Sequence, residues 1–161
     1  MTTTWMMGLG RFLCPVLCMA FAPPVLAQTP TMILIGRGAG GSANAYFLAD
    51  TFRQIDARTR SAEIVLSYDK PRFGMTADYK DDPEQRFMSF KSTYYVHCAE
   101  GLMATAYDRQ YSEPMGAGMV VGKINSDAPP QEAWYRKPTD IYPAYPIETT
   151  TVKKICEYQP H

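Results

Sequence analysis

Residues 86–98 alternate so regularly that they set a long strand and its two faces before the rest of the chain is considered. Met88, Phe90, Tyr94, Val96 and Cys98 fall on one side; Ser89, Lys91, Thr93, Tyr95 and His97 fall on the other. Successive strand side chains point to opposite faces, so this period predicts a strand whose apolar side, carrying Cys98, turns toward a core. Glu100-Gly101 predicts a tight turn. Leu102, Ala104 and Ala106 against Met103, Thr105 and Tyr107 predict the returning partner of a hairpin.

Shorter strand patterns flank this pair. Thr31-Met32-Ile33-Leu34-Ile35 and Ala45-Tyr46-Phe47-Leu48 read as strands, the second ended by Asp50. Residues 62–68 alternate, with Ile64, Leu66 and Tyr68 opposite Glu63, Val65 and Ser67, and Asp69-Lys70-Pro71 is expected to close the strand. Residues 75–85, centred on Asp81-Asp82-Pro83, are polar and predict an exposed loop, and Met119-Val120-Val121 follows a Gly116-Ala117-Gly118 turn. From Ala128 onward, Pro129, Pro130, Pro138, Pro143 and Pro146 alternate with Trp134, Tyr135, Tyr142 and Tyr145. Each proline removes a ladder donor, so this segment is expected to wrap the surface. Residues 147–156 place Val152, Ile155 and Cys156 on one helical face, although Thr149-Thr150-Thr151 is a poor helix former.

Residues 1–27 read as a cleavable secretory signal. Arg11 is their one charged side chain, Phe12 to Phe21 is a short apolar run, and Val25-Leu26-Ala27 offers small residues ahead of Gln28, which sets cleavage between Ala27 and Gln28. The alternative for this stretch is a buried N-terminal helix. The apolar run is shorter than the roughly 20 residues that cross a bilayer, and no later segment comes close, so no integral membrane segment is expected in the mature chain. Cys14 and Cys18 lack the small preceding residue of a lipoprotein signal, so no lipid anchor is expected. Removing 27 of 161 residues leaves 134, one domain spanning 28–161, with all 16 acidic and 15 of the 16 basic residues. That near-neutral balance argues against nucleic acid as a partner.

Cys98 and Cys156 then remain, and an even count in an exported protein reads as one disulfide. Two free thiols, or a metal site joined by His97, are the alternatives.

Candidate chemistry is sparse. Gly36-Arg37-Gly38-Ala39-Gly40-Gly41 matches the dinucleotide fingerprint after a strand-like run. No strand–helix alternation supports a doubly wound sheet, however, and a flexible hairpin loop is the better reading. His97, beside Cys98 on the polar face, reads as a solvated side chain. Asp81, Asp82 and Glu84 lack the spacing of a calcium loop. No cofactor, metal site or catalytic residue is expected. Eleven tyrosines, all beyond the leader, are the one conspicuous surplus, in a residue type favoured where apolar contact meets water.

Ser89-Phe90-Lys91-Ser92-Thr93-Tyr94-Tyr95-Val96-His97-Cys98 resembles the S-x-K-x-x-Y-x-x-D-C strand of the bacterial surface-adhesin protein E-like family, with His97 in place of the usual aspartate. Tyr107, Gly116-Ala117-Gly118-Met119-Val120, Trp134 and Val152-Lys153-Lys154-Ile155-Cys156 follow in that family's order. Upstream, Tyr46 to Asp50 and Phe52-Arg53-Gln54-Ile55 are similar as well, while Met32 stands where a tryptophan is frequent. The resemblance implies a mostly β, α+β fold: one antiparallel sheet of about six strands, with a C-terminal helix fastened to one face by the disulfide. It also implies a non-enzymatic, adhesin-like binding protein, periplasmic, secreted or on the cell surface. Host, plasma or extracellular-matrix proteins are the implied partners, and homodimerisation is a further expectation. No particular binding surface follows from it. The alternatives are a small-ligand or inhibitor-type periplasmic β domain using Phe90 and Tyr94 and, remotely, a dinucleotide enzyme using residues 36–41.

Overall fold

The computed structural model describes residues 30–73, 86–124, 127–141 and 147–160. The leader with its Ala27–Gln28 junction, and the whole of the 75–85 loop including Asp81, Asp82 and Glu84, lie outside these residues.

Six strands form one sheet in chain order, each neighbouring pair antiparallel: β1 (Met32–Gly38), β2 (Ala43–Gln54), β3 (Thr59–Phe73), β4 (Arg86–His97), β5 (Leu102–Tyr111) and β6 (Val120–Lys123). A single helical turn, α1 (Pro138–Ile141), and one longer helix, α2 (Ile147–Glu157), complete the described fold. The long alternating strand is central to the sheet, between β3 and β5. The other expected strands all continue further than their patterns suggested. β3 runs beyond Pro71, which falls where the β3–β4 register shifts between Ser67 and Arg72 and where no ladder donor is required.

The registers sort the sheet into two faces. On one, Phe47, Ala49, Ala62, Ile64, Tyr94, Val96 and Met103 form the main core with Val152 and Ile155 of α2. With eleven residues, α2 is shorter than an isolated helix needs in water. Burial of Ile147, Thr151, Val152 and Ile155 compensates, and the Thr151 hydroxyl donates to the Ile147 carbonyl at 2.8 Å. Just beyond the helix, Tyr158 meets Phe47 and Phe52 edge-on, with ring centroids 4.9 and 5.1 Å apart.

Cys98 and Cys156 are disulfide-bonded, with Cα atoms 5.6 Å apart, and fasten α2 to the end of β4. Closing a 58-residue loop contributes about 4 kcal/mol in the chain-entropy treatment.

The glycine run differs from its expected form. Gly36 and Gly38 belong to β1, and only residues 39–41 turn, as one 3-10 turn leading into antiparallel β2. A Cβ at Gly38 would lie 3.3 Å from Ile147 of α2, so the missing side chains admit the helix to the sheet edge. A dinucleotide fingerprint needs a helix after its glycines. A strand follows here, which removes that remote alternative.

Candidate interaction face

The second face lies opposite α2. Cα partners define a row across all six strands: Leu34, Tyr46, Val65, Lys91, Arg109 and Lys123. The adjoining row carries Ser67, Ser89 and Tyr111. Tyr107 reaches the same face from a bulge. It adopts φ +57°, a left-handed conformation that bulky residues seldom take, where the β4–β5 register shifts. Its side chain hydrogen-bonds Tyr95, whose phenol is pushed up chiefly by burial and then by Tyr107.

Two short segments cover the ends of this face. At one end, the Ser89 hydroxyl donates to the Glu113 carbonyl at 2.6 Å and accepts from the Gly116 amide at 2.8 Å, while the Ser67 hydroxyl accepts from the Met115 amide at 3.3 Å. At the other, the Arg136 backbone pairs with Met103 and brings Tyr135 down onto the sheet. The Tyr135 ring stacks on His97, with centroids 3.7 Å apart.

His97 is therefore not the solvated side chain expected from the strand pattern; it is 3% exposed. Its cover comes from a residue nearly forty positions later, which period-two reading of one strand does not detect. Asp56 shapes the β2–β3 turn beside it by accepting the Arg58 and Thr59 amides at 2.8 Å each, and these bonds hold its carboxyl below the usual range. The turn aims Arg58 at His97 Nδ1 (3.3 Å), Glu100 (3.3 Å) and Glu132 (3.4 Å). A guanidinium only donates, so Nδ1 is the accepting nitrogen and Nε2 carries the proton toward Glu132, 4.0 Å away.

Between these covers the face is half-open, aromatic and balanced in charge. Lys91 pairs with Glu63 at 3.3 Å and lies over the Tyr111 ring, and Asp127 bridges Arg109 and Lys123. Tyr46, Tyr95, Tyr107, Tyr111 and Tyr135, five of the eight described tyrosines, belong here, and Trp134, the chain neighbour of Tyr135, is 46% exposed. The sheet edge at β6 is also apolar, with Met119 74% and Val120 48% exposed.

Of the residues singled out from sequence, Cys98 and Cys156 join as expected. Tyr94 is buried beneath α2, which leaves no room there for the small-ligand alternative, and Phe90 on that face is only half-buried. The tyrosine surplus was visible in the sequence, but its gathering on one face required the pairing register. Among the described residues no group of three or more candidate metal ligands assembles, and no helix is long and apolar enough to cross a membrane.

The model of the family described as "Surface-adhesin protein E" matches residues 33–157. Among solved structures, crystal form II of Haemophilus influenzae protein E aligns at 16% identity with a TM-score of 0.51, covering 84% of this chain and 93% of that one. Another structure of Haemophilus influenzae protein E aligns at 14% identity with a TM-score of 0.46, covering 86% of this chain and 96% of that one. No curated protein matches the sequence.

Proposed function

Since this chain belongs to the surface-adhesin protein E family, we propose that it is a non-enzymatic binding protein that engages a protein partner through the sheet face opposite α2. The family is one of surface adhesins, so export to the cell surface comes with membership. The finer statements are our reading: cleavage between Ala27 and Gln28, no lipid on the mature chain, and an extracellular-matrix or plasma protein as partner.

The gathering of five of the eight described tyrosines on this face, with Trp134 exposed next to Tyr135, carries the choice of face. Tyrosine, tryptophan and arginine supply most hot spots of protein interfaces, because each presents a large apolar area with a polar tip. The face bearing α2 has its apolar surface already covered by the helix. The apolar β6 edge supports self-association of two copies by strand pairing.

The test measures binding of the mature domain to immobilised matrix and plasma proteins, with Trp134→Ala, Tyr46→Ala and, on the outer side of α2, Glu157→Gln. Loss of about tenfold in affinity is expected at the first two positions, the order of a hot-spot truncation, with Glu157→Gln unchanged. Loss at Glu157 with full binding by the open-face variants would place the interface on the wrong side. Gel filtration of Val120→Lys against the parent tests the homodimer: a dimer that persists unchanged would rule out the β6 edge.

A further inference from the structure

The disulfide that clasps α2 is not enclosed by the core that it serves. Val152 is 8% exposed and Ile155 fully buried, yet Cys98 and Cys156 are both only partly buried. Two open clefts meet at the bond. One, of about 350 Å3, is bordered by both cysteines together with Lys137, Lys153, Thr149 and Glu100. The other, of about 590 Å3, is bordered by Cys98 with Arg58, Arg60 and Asp56. Lys137 and Lys153 border the first cleft with Glu100, and Glu157 lies 3.8 Å from Lys153; Arg58 and Arg60 border the second with Asp56, and Arg58 is also 3.3 Å from Glu100 and 3.4 Å from Glu132.

We propose that Cys98–Cys156 is a thiol–disulfide exchange site for small carboxylate-bearing thiols, which enter through the Lys137/Lys153 cleft. Solvent-exposed disulfides are the exchange-prone ones, because attack requires a thiolate to approach along the sulfur–sulfur axis. Cys98 borders both clefts and Cys156 only the lysine cleft, which sets the direction. The incoming thiolate bonds to Cys156 Sγ as the Sγ–Sγ bond breaks, and the electron pair leaves on Cys98 Sγ beside Arg58 and Arg60. A second thiolate attacks the outer sulfur of that mixed disulfide, releasing the oxidised small disulfide and the Cys156 thiolate. Two thiols are oxidised, the protein disulfide is reduced by two electrons, and the two protons pass to the protein thiols. The covalent tie of α2 is thereby opened without disturbing the sheet.

The experiment uses the folded mature domain with 3-mercaptopropionate, 2-mercaptoethanol or cysteamine. Rates are expressed per thiolate, normalised to a small reference disulfide, and read by acid-quenched non-reducing mass spectrometry. At low salt the anionic thiol is expected to react about fivefold faster than the cationic one, from two like-signed charges several ångströms away. The preference should shrink in high salt and vanish in the Lys137→Gln/Lys153→Gln double variant, with the first adduct on Cys156. Equal normalised rates would overturn the proposal. So would reduction at a rate independent of thiol concentration, which reports global unfolding, or a first adduct on Cys98.

Discussion

The two faces of the sheet are covered in different ways. Opposite Phe47, Ile64 and Val96, one continuous helix supplies close apolar packing, a disulfide and the Tyr158 ring. Opposite Tyr95 and His97, the cover is a pair of short irregular segments held by hydroxyl-to-backbone hydrogen bonds, one ring stack and an arginine shared among three partners. The first arrangement leaves little surface for anything else. The second leaves rings half-exposed between its covers, which is the condition for a partner to complete the burial.

The largest expected effect lies at the helix-covered face. Phe47→Ala should lower stability by about 3–5 kcal/mol, the range for truncating a fully buried aromatic, in denaturant titration. A smaller loss at Phe47 than at Tyr46 would reverse the roles of the two faces. Gly38→Val should cost about 1–3 kcal/mol through overpacking against Ile147, with the chemical-shift changes centred on the start of α2. Phe90→Ala should fall below the range for a fully buried ring, because Phe90 is only half-buried.

Glu148 sharpens the comparison through pH. It is 7% exposed, its Oε2 lacks a hydrogen-bond partner, and burial raises its pKa. A raised carboxyl pKa means that the folded state holds the proton longer than the unfolded one. Stability is therefore full below the ordinary glutamate value and declines as pH rises from that value through the raised one. Glu148→Gln should gain about 1 kcal/mol at neutral pH, the scale of an unsatisfied buried polar group, and nothing at pH 4. An equal gain at both would assign the effect to packing. At the small end, Lys91→Ala on the open face should cost less than about 0.5 kcal/mol, because its bond to Glu63 is partly solvated.

Much of this difference was legible in the sequence on the helix side and little of it on the other. Alternation over residues 86–98 put Tyr94, Val96 and Cys98 on the core side, and the spacing of Val152, Ile155 and Cys156 gave the helix its inward stripe. Both patterns are local, so each can be read without its partner. His97 and Tyr135 are joined only by tertiary packing, and nothing in the alternation of β4 distinguishes a covered polar face from a solvated one. Gly36 and Gly38 looked like loop residues because glycine is rare in strands; their purpose is set by Ile147, more than a hundred positions away. Tyr107 closes a bulge whose position depends on how β4 and β5 slip past each other.

The two faces are held independently of each other, and amide exchange on Cys156→Ser beside the parent measures that independence. Opening the clasp should speed exchange over residues 147–160, where burial of Ile147, Thr151, Val152 and Ile155 and the Tyr158 ring contacts then hold the segment without the covalent tie. Residues 131–136 and the β4–β5 ladder beneath Tyr135 should keep their protection. Loss of protection at residues 131–136 together with α2, or no change over 147–160, would contradict it.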